Sequence, residues 1–213
     1  MVLLRHILPL LLVALCGCTV LPPRRLAVTG PGPVSRSASA PERPVQPEVI
    51  ETAQGRRCQA VRLDDRTIAT AAHCVADALR VDLLGDGAPV QARDILLHPA
   101  HDIAPLDRAA ASDLAKLTLP APVPTGARVR IAALAPGEVT ILVRTGSSGT
   151  TAVACGFLGR SGPMAELSCP VALGWSGAPV VQNGALVGIL SGRGRAGTLE
   201  IAQIAVATGL ESF

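Results

Sequence analysis

The sequence predicts an all-β protein, either a barrel or a sandwich, on three observations. Short runs of apolar or alternating residues recur along most of the chain. Gly, Pro, Asn and Asp residues that favour turns separate these runs, and little of the chain has a helical period. The runs divide into two halves near residues 119–126 ("LPAPVPTG"). Many short strands at regular spacing are typical of barrels and sandwiches.

The first half contains two predicted hairpins and one exception to the strand pattern. In the first hairpin, "RCQAVRL" and "RTIATAAHC" flank the acidic turn Asp64-Asp65. In the second, "RVDLLG" and "VQARDILLH" flank "DGAP", which has turn composition. The segment "ASDLAKL" (111–117) is instead predicted as a weak helical stretch.

The second half continues with strands to the end of the chain. Residues 182–184 ("QNG") contain an Asn-Gly step, which is the turn that two-residue hairpins prefer. The last residues are predicted as a short helix. The predicted strand segments are "ARVRIAAL", "EVTILVRTG", "TTAVACGFL", "AELSCPV", "APVVQNGALVGILSG" and "EIAQIAVA".

The N-terminus predicts export. Residues 1–17 have a basic residue, an apolar run from Ile7 to Leu15 and small residues, the outline of a signal peptide that is too short to span a membrane permanently. The sequence "LCGC" (15–18) resembles the lipobox of bacterial lipoproteins, which implies cleavage before Cys18 and its acylation. By resemblance to the lipoproteins of diderm bacteria, Thr19 after this cysteine implies the outer membrane of the bacterial envelope. The alternative is an ordinary secreted protein.

Residues 18–50 are predicted to be a disordered tether because they are rich in Pro, Ser, Gly and Arg and lack a period. The folded domain is therefore expected over residues 51–213. Aromatic residues make up 1% of the chain, so its core must consist of Val, Ile, Leu and Ala. A net charge of +3 without a basic run or stacking aromatics argues against a nucleic-acid partner.

Four cysteines lie in the predicted domain: Cys58, Cys74, Cys155 and Cys169. An even number in an exported chain implies disulfides, and four cysteines allow three connectivities. Pairing between neighbours along the chain is the simplest of the three. Metal binding is disfavoured because no C-x-x-C pair is present, and "HPAHD" (98–102) lacks an evident fourth ligand. No metal and no cofactor are expected.

Three segments each contribute one member of a possible Ser-His-Asp triad. They are "TAAHC" (70–74) with His73, "HDIAPL" (101–106) with Asp102, and "GWSGAPVV" (174–181) with Ser176. Together they resemble the signature segments of chymotrypsin-like serine proteases, in that family's order. The resemblance implies two six-stranded β-barrel lobes with the active site in the cleft between them. It also implies a bridge between Cys58 and Cys74.

The chemistry of acyl transfer requires these residue types. A serine hydroxyl needs an adjacent histidine as base, and a carboxylate fixes the tautomer of that histidine. The glycines around Ser176 allow the N–H groups of Gly174 and Ser176 to form an oxyanion hole. An α/β-hydrolase would need Asp and His after the serine, and neither type occurs there. A subtilisin-like order would need Asp64 or Asp65, which lie in a tight turn.

Trp175 departs from the family's animal members, in which an acid before the serine pairs with a newly cut amino terminus. We therefore expect the indole to brace the loop by packing, with a hydrogen bond from its N–H as a further option. The enzyme would then need no activation cleavage.

Four residues are assigned to substrate binding by the resemblance: Pro170, Ser191, Gly192 and Arg193. Pro170 stands where members that cut after Lys or Arg carry an acid, so tryptic specificity is not expected. Arg193 either narrows the pocket toward small residues or attracts an acidic one, unless it is a solvated loop charge.

The sequence thus predicts a monomeric, lipid-anchored serine endopeptidase with polypeptide substrates and the membrane as its other partner. Two alternatives stay open: an inactive binding module on the same scaffold, and an esterase that uses the same triad.

Overall fold

The computed structural model describes residues 42–85, 87–101, 110–122, 127–146 and 149–213. The predicted signal peptide, Cys18 and most of the predicted tether lie outside these ranges. Within them, no helix is both long and apolar enough to cross a lipid bilayer.

Among the described residues up to Val129, the chain forms nine strands. Seven of them, β2–β8, form one sheet in the order β6-β5-β2-β3-β4-β8-β7, while β1 and β9 pair separately. The strands are β1 (Glu42–Arg43), β2 (Pro47–Thr52), β3 (Arg57–Arg62), β4 (Thr67–Thr70), β5 (Val81–Leu84), β6 (Val90–Gln91), β7 (Asp94–Leu97), β8 (Ala115–Thr118) and β9 (Arg128–Val129).

The first sheet curls back on itself. Its two edge strands, β6 and β7, are separated by only Ala92 and Arg93. Ala92 N–H donates to Val81 O at one edge, and Arg93 N–H donates to Thr118 O at the other. The chain from β6 to β7 therefore joins both edges of the sheet, which we call the first lobe.

The second lobe is a closed barrel of six antiparallel strands in the order β10-β11-β12-β15-β14-β13. Asn183 and Gly184 both have positive φ in the turn between β13 and β14, as the Asn-Gly step predicts. A 3₁₀ helix, Ala207–Ser212, follows the last strand. The strands are β10 (Glu138–Thr145), β11 (Gly149–Ser161), β12 (Met164–Ser168), β13 (Pro179–Gln182), β14 (Ala185–Ala196) and β15 (Leu199–Val206).

The all-β prediction with two barrel-like lobes is confirmed, and aliphatic side chains fill both cores. One core lies within the first lobe and extends to Leu186, Ile189 and Leu210. The other fills the closed barrel. The two disulfides join neighbouring cysteines, Cys58–Cys74 and Cys155–Cys169, as the simplest pairing predicts.

Two sequence predictions are corrected. The folded domain begins before residue 51, because β2 runs along the middle of the first sheet and Ile50 is fully buried there. Its proline stands at the start of the strand, where a missing N–H is tolerated. The segment 111–117 is helical only at its start, where residues 110–112 form a 3₁₀ turn; from Ala115 it is strand β8, with Ala115 and Leu117 buried and Lys116 and Thr118 partly exposed.

Gln59 on β3 connects the lobes. Its side chain accepts a hydrogen bond from Arg144 N–H at 2.8 Å and donates to Arg144 O at 3.4 Å. Glu48 on β2 contacts both Arg62 on β3 and Arg144 on β10 at 3.4 Å. Because Arg144 belongs to the closed barrel, these contacts hold β10 against the first lobe.

Candidate active site

His73 lies just beyond β4, in the short 3₁₀ helix Ala72–Cys74. Its carbonyl oxygen accepts a hydrogen bond from Arg56 Nη1 at 2.8 Å, and the same guanidinium binds Asp77. The neighbouring Cys74 is fixed to β3 by its disulfide with Cys58. The backbone of His73 is therefore held on both sides, while its side chain remains 44% exposed and can reach a substrate.

The carboxylate that binds His73 belongs to Asp113. Its Oδ2 lies 2.6 Å from His73 Nδ1, and its Oδ1 accepts a hydrogen bond from His73 N–H at 2.7 Å. The side chain of Asp113 is only 6% exposed. A buried carboxylate on Nδ1 places the proton there and leaves Nε2 as the basic nitrogen, which is the arrangement that a general base requires.

Sheet pairing explains why Asp113 occupies this position. Strand β4 pairs with β8, with Thr70 opposite Ala115. The chain leaves β4 toward His73 at the same end of the sheet at which it enters β8 from Asp113. Two residues that are 40 positions apart in sequence are thus placed side by side.

The predicted acid, Asp102, lies outside the described residues, and the carboxylate that contacts His73 among the described residues is that of Asp113, which the sequence did not indicate. The two segments look alike, since Asp-Ile-Ala starts at 102 and Asp-Leu-Ala starts at 113. A proline follows the first but not the second, and proline disfavours the interior of a strand. Two features of the sequence could have indicated Asp113. No proline interrupts the segment after it, and apolar and polar residues alternate from Ala115 to Leu119, as in a strand.

A third contact holds the Asp113 carboxylate. Ser191 on β14 donates its hydroxyl to Asp113 Oδ2 at 2.5 Å, so the second lobe also contributes to this pair. Burial alone would raise the pKa of Asp113, but the hydrogen bonds and charge of His73 and the Ser191 hydroxyl lower it below its usual value. The carboxylate therefore stays ionised beside the imidazole.

Ser176 lies on the loop before β13, and backbone contacts hold this loop against both lobes. Its carbonyl oxygen accepts a hydrogen bond from Gln59 N–H at 2.8 Å, and the next residue, Gly177, donates to Leu190 O at 2.7 Å. Gln59 adjoins the Cys58–Cys74 bridge beside His73, and Leu190 adjoins Ser191 beside Asp113. The loop is therefore held between the two segments that carry the other members of the site.

The close contact of this loop with Gln59 and Thr70 requires a glycine at position 177. Gly177 has φ +85°, and a Cβ there would overlap the carbonyl oxygen of Gln59 and the hydroxyl of Thr70. Gly174 also has positive φ, +82°, but no atom lies within 4 Å of its Cβ position. The first glycine allows a close approach and the second only a turn.

The N–H groups of this loop divide into used and unused donors. Those of Trp175, Gly177 and Ala178 donate to Ala172 O, Leu190 O and Trp175 O. Those of Gly174 and Ser176 have no hydrogen-bond acceptor in the described part of the chain. These two are the donors predicted for the oxyanion hole.

Trp175 is partly buried and packs against the core of the closed barrel, in agreement with the expected bracing of the loop. Within the described ranges its indole N–H has no hydrogen-bond partner. Packing is therefore the contribution that the indole makes.

Among the described residues, no strand pairs with one edge of β14 beside the site. Its pairing with β13 ends at Ile189, whereas its pairing with β15 continues to Ala196. The predicted substrate-binding residues Ser191, Gly192 and Arg193 lie on this stretch. An extended peptide could add to such an edge as a further strand.

A cavity of about 350 Å³ lies next to this edge, lined by Val171, Arg193, Gly194, Arg195, Glu200 and Ile201. Of the four predicted substrate-binding residues, Arg193 alone contributes to its wall, and Pro170 is exposed beside the Cys155–Cys169 bridge. The sequence did not indicate Val171, Arg195 or Glu200. No group of three or more His, Cys, Asp or Glu side chains in the described ranges could hold a metal ion.

The fold is the two-barrel fold of chymotrypsin-like proteins. The model of the trypsin-like peptidase domain matches residues 58–189, and the chain belongs to this family. A search of curated proteins finds no match.

Two solved structures share the fold. Neuropsin, a serine protease expressed in the limbic system of mouse brain, is 18% identical with a TM-score of 0.60, over 78% of this chain and 92% of neuropsin. Rv3671c of M. tuberculosis H37Rv, in the inactive form of a serine-to-alanine mutant, is 19% identical with a TM-score of 0.59, over 78% and 83%.

Proposed function

We propose that the protein is an active serine endopeptidase with Ser176 as nucleophile, His73 as general base and Asp113 as the carboxylate that orients His73. The observation that carries this proposal is the short contact between His73 Nδ1 and a buried, ionised Asp113. A half-exposed histidine with only a structural role would not need a buried carboxylate as its hydrogen-bond partner. Membership of the trypsin-like peptidase family supports the same reading.

Acylation of the enzyme follows from the positions of these groups. The Ser176 oxygen attacks the carbonyl carbon of the scissile peptide bond while its proton moves to His73 Nε2. The N–H groups of Gly174 and Ser176 bind the developing oxyanion, and one such donor contributes about 3–4 kcal/mol to catalysis. The C–N bond then breaks, and the leaving amine takes the proton from His73.

Deacylation repeats these steps with water. His73 accepts a proton from the water as its oxygen attacks the acyl carbon, and it returns that proton to Ser176 as the ester bond breaks. Throughout, Asp113 stays ionised and stabilises the imidazolium.

We further propose that the enzyme is anchored to a bacterial envelope membrane by lipid on Cys18 and acts on exported polypeptides. The lipobox-like "LCGC" supports this, as do the two disulfides, which are typical of oxidising compartments. More than one acyl chain would make the attachment stable. The composition of residues 19–41, rich in Pro, Ser, Gly and Arg, suits a connection between lipid and domain.

A fluorophosphonate probe tests the activity directly, because it phosphonylates a serine only where a base and an oxyanion hole activate it. We expect labelling of the full-length protein at Ser176 and none in Ser176→Ala. Ser161→Ala, a change at the exposed end of β11, should label like the wild type. A folded wild-type protein that resists the probe would overturn the proposal.

The second candidate is a binding module on the same scaffold. In its favour, the Ser176 hydroxyl has no hydrogen-bond partner among the described residues, and His73 Nε2 lies 3.8 Å from Cys74 Sγ. This candidate predicts no labelling and a peptide affinity that Ser176→Ala leaves unchanged. An esterase would label, and hydrolysis of matched ester and amide substrates separates it from a peptidase.

Anchoring is tested separately by metabolic labelling with a fatty-acid analogue in a bacterial host. The wild type should incorporate the label and fractionate with membranes, while Cys18→Ala should do neither. Incorporation into Cys18→Ala would place the lipid elsewhere.

A further inference from the structure

The cavity beside β14 is lined by residues from two segments that also contribute to the site: the loop that contains Ser176 and the strand that contains Ser191. Val171 belongs to the segment that leads into Gly174 and Ser176, and Arg193 lies two residues beyond Ser191, which binds Asp113. A peptide added to the edge of β14 beside the site would therefore bring one side chain to this cavity when its carbonyl group faces the Gly174 and Ser176 N–H groups.

The position of the cavity in the barrel explains its lining. Ala202, Ile204 and Val206 on β15 face the core of the closed barrel. Because side chains alternate along a strand, Glu200 continues that face toward the open end. Arg193 is paired with Ala202 and Arg195 with Glu200, so both arginines share it. The cavity is thus the mouth of the barrel, with charged residues where the apolar core ends.

The two arginines differ in their partners. Arg195 contacts Glu200 across the strands at 3.7 Å. Arg193 has no acceptor among the described residues, although it lines the same cavity. Two cations and one anion leave the cavity with an excess positive charge, and that charge resides on Arg193.

We propose that this cavity binds the side chain on the amino-terminal side of the scissile bond and that Arg193 selects an acidic residue there. This inference rests on the proposed peptidase function. A glutamate would place its carboxylate at Arg193, and its methylene groups would lie against Val171. Paired N–H donors of a guanidinium match the two carboxylate oxygens.

Substrates with Lys or Arg at this position are disfavoured by the same charges. Their cation would meet Arg193 and Arg195, and Pro170 supplies no carboxylate to offset the repulsion. A neutral Gln would fill the same space as Glu but would lack the charge that Arg193 recognises.

The test compares kcat/KM of the full-length protein, solubilised in detergent, for peptide amides that differ only in Glu, Gln or Lys before the cleaved bond. We expect Glu to exceed Gln about tenfold and Lys to be cleaved least. Arg193→Gln should remove the preference for Glu over Gln, and Arg193→Glu should shift it to Lys. Glu200→Gln should increase the preference for Glu.

Arg160→Gln is the matched control, because Arg160 bonds Gly162 O in the turn after β11 and does not line the cavity. Its ratio of Glu to Gln should equal that of the wild type. Equal cleavage of Glu and Gln by a protein that the fluorophosphonate labels would overturn the inference and leave the peptidase proposal standing. A retained preference in Arg193→Gln would do the same.

Failure of labelling would instead count against the peptidase proposal, and a binding measurement then decides the inference by itself. Peptides that end in Glu or in Gln can be titrated against Ser176→Ala. The Glu peptide should bind more tightly, and Arg193→Gln in that background should abolish the difference. Equal affinities would show that the cavity does not recognise an acidic side chain.

Discussion

The two lobes contribute to the candidate site in opposite ways. The first lobe supplies His73 and Asp113, and the backbone of His73, its Nδ1 and the Asp113 carboxylate are engaged in hydrogen bonds. The second supplies a loop on which Gly174 is exposed and the N–H groups of Gly174 and Ser176 have no acceptor in the described ranges. The difference indicates a division of work: groups that orient one another are satisfied within the protein, and groups that contact substrate are left available.

The largest expected effect is on the first lobe, from Asp113→Asn. An amide donates where the carboxylate accepts, so it favours the wrong tautomer of His73, and we expect kcat/KM to fall by about 10⁴-fold. Asp102→Asn is the matched change at the other Asp-apolar-Ala segment and should leave kcat/KM within about threefold. Peptide hydrolysis measures both. A large loss of kcat/KM in Asp102→Asn with a small loss in Asp113→Asn would instead identify Asp102 as the triad acid.

The loop of the second lobe is tested by two glycines of similar backbone conformation. Gly177→Ala adds a Cβ that overlaps Gln59 O and Thr70 Oγ1, so we expect a loss of at least about 3 kcal/mol in the free energy of unfolding. Gly174→Ala meets no atom within 4 Å and should cost only about 1–2 kcal/mol for its positive φ. Denaturant unfolding compares them. Similar losses would show that the contact between loop and β3 is not close.

The disulfides provide one probe in each lobe. They close loops of similar length, with separations of 16 and 14 residues, so removing either by paired Ala substitutions should cost about 3 kcal/mol. Only the loss of Cys58–Cys74 frees the residue next to His73. Under conditions where both variants are folded, that variant alone should label more slowly with fluorophosphonate. Equal labelling rates would mean that the bridge does not position His73.

The smallest effect is a pH dependence that involves both lobes through Ser191. The pKa of Asp113 is lowered on folding, so its ionisation stabilises the fold above the ordinary carboxyl pKa. That contribution is lost as the pH falls through the lowered value. Ser191→Ala removes a hydrogen bond to the carboxylate and should make the loss in unfolding free energy at acid pH shallower, as thermal melts at several pH values would report. An unchanged profile would mean that Ser191 does not contribute to the lowered pKa.

Much of the fold was predictable because local patterns specify it. The short apolar runs of β3 and β4, the acidic turn between them and the Asn183-Gly184 step each act over a few residues. The start of the domain was placed too late, because proline content outweighed the apolar residues of β2. Burial of Ile50 depends on two neighbouring strands, which composition does not reveal.

The site was predictable where a residue stands in a distinctive segment, as His73 and Ser176 do. Asp113 was missed because its short segment also fits a helix turn, and only pairing with β4 makes it a strand. The lining of the cavity depends on the register of β14 with β15, and a bulge between Leu190 and Gly192 shifts that register. No pattern within either strand predicts such a shift.

Gln59 has a consequence for how substrates enter. Its main chain bonds both Ser176 O and Thr70 Oγ1, and its side chain bonds the backbone of Arg144 in the other lobe. Any hinge opening that separated the lobes would break these bonds and release the nucleophile loop at the same time. On the proposed peptidase function, we therefore expect unstructured segments to be cut in preference to compact domains.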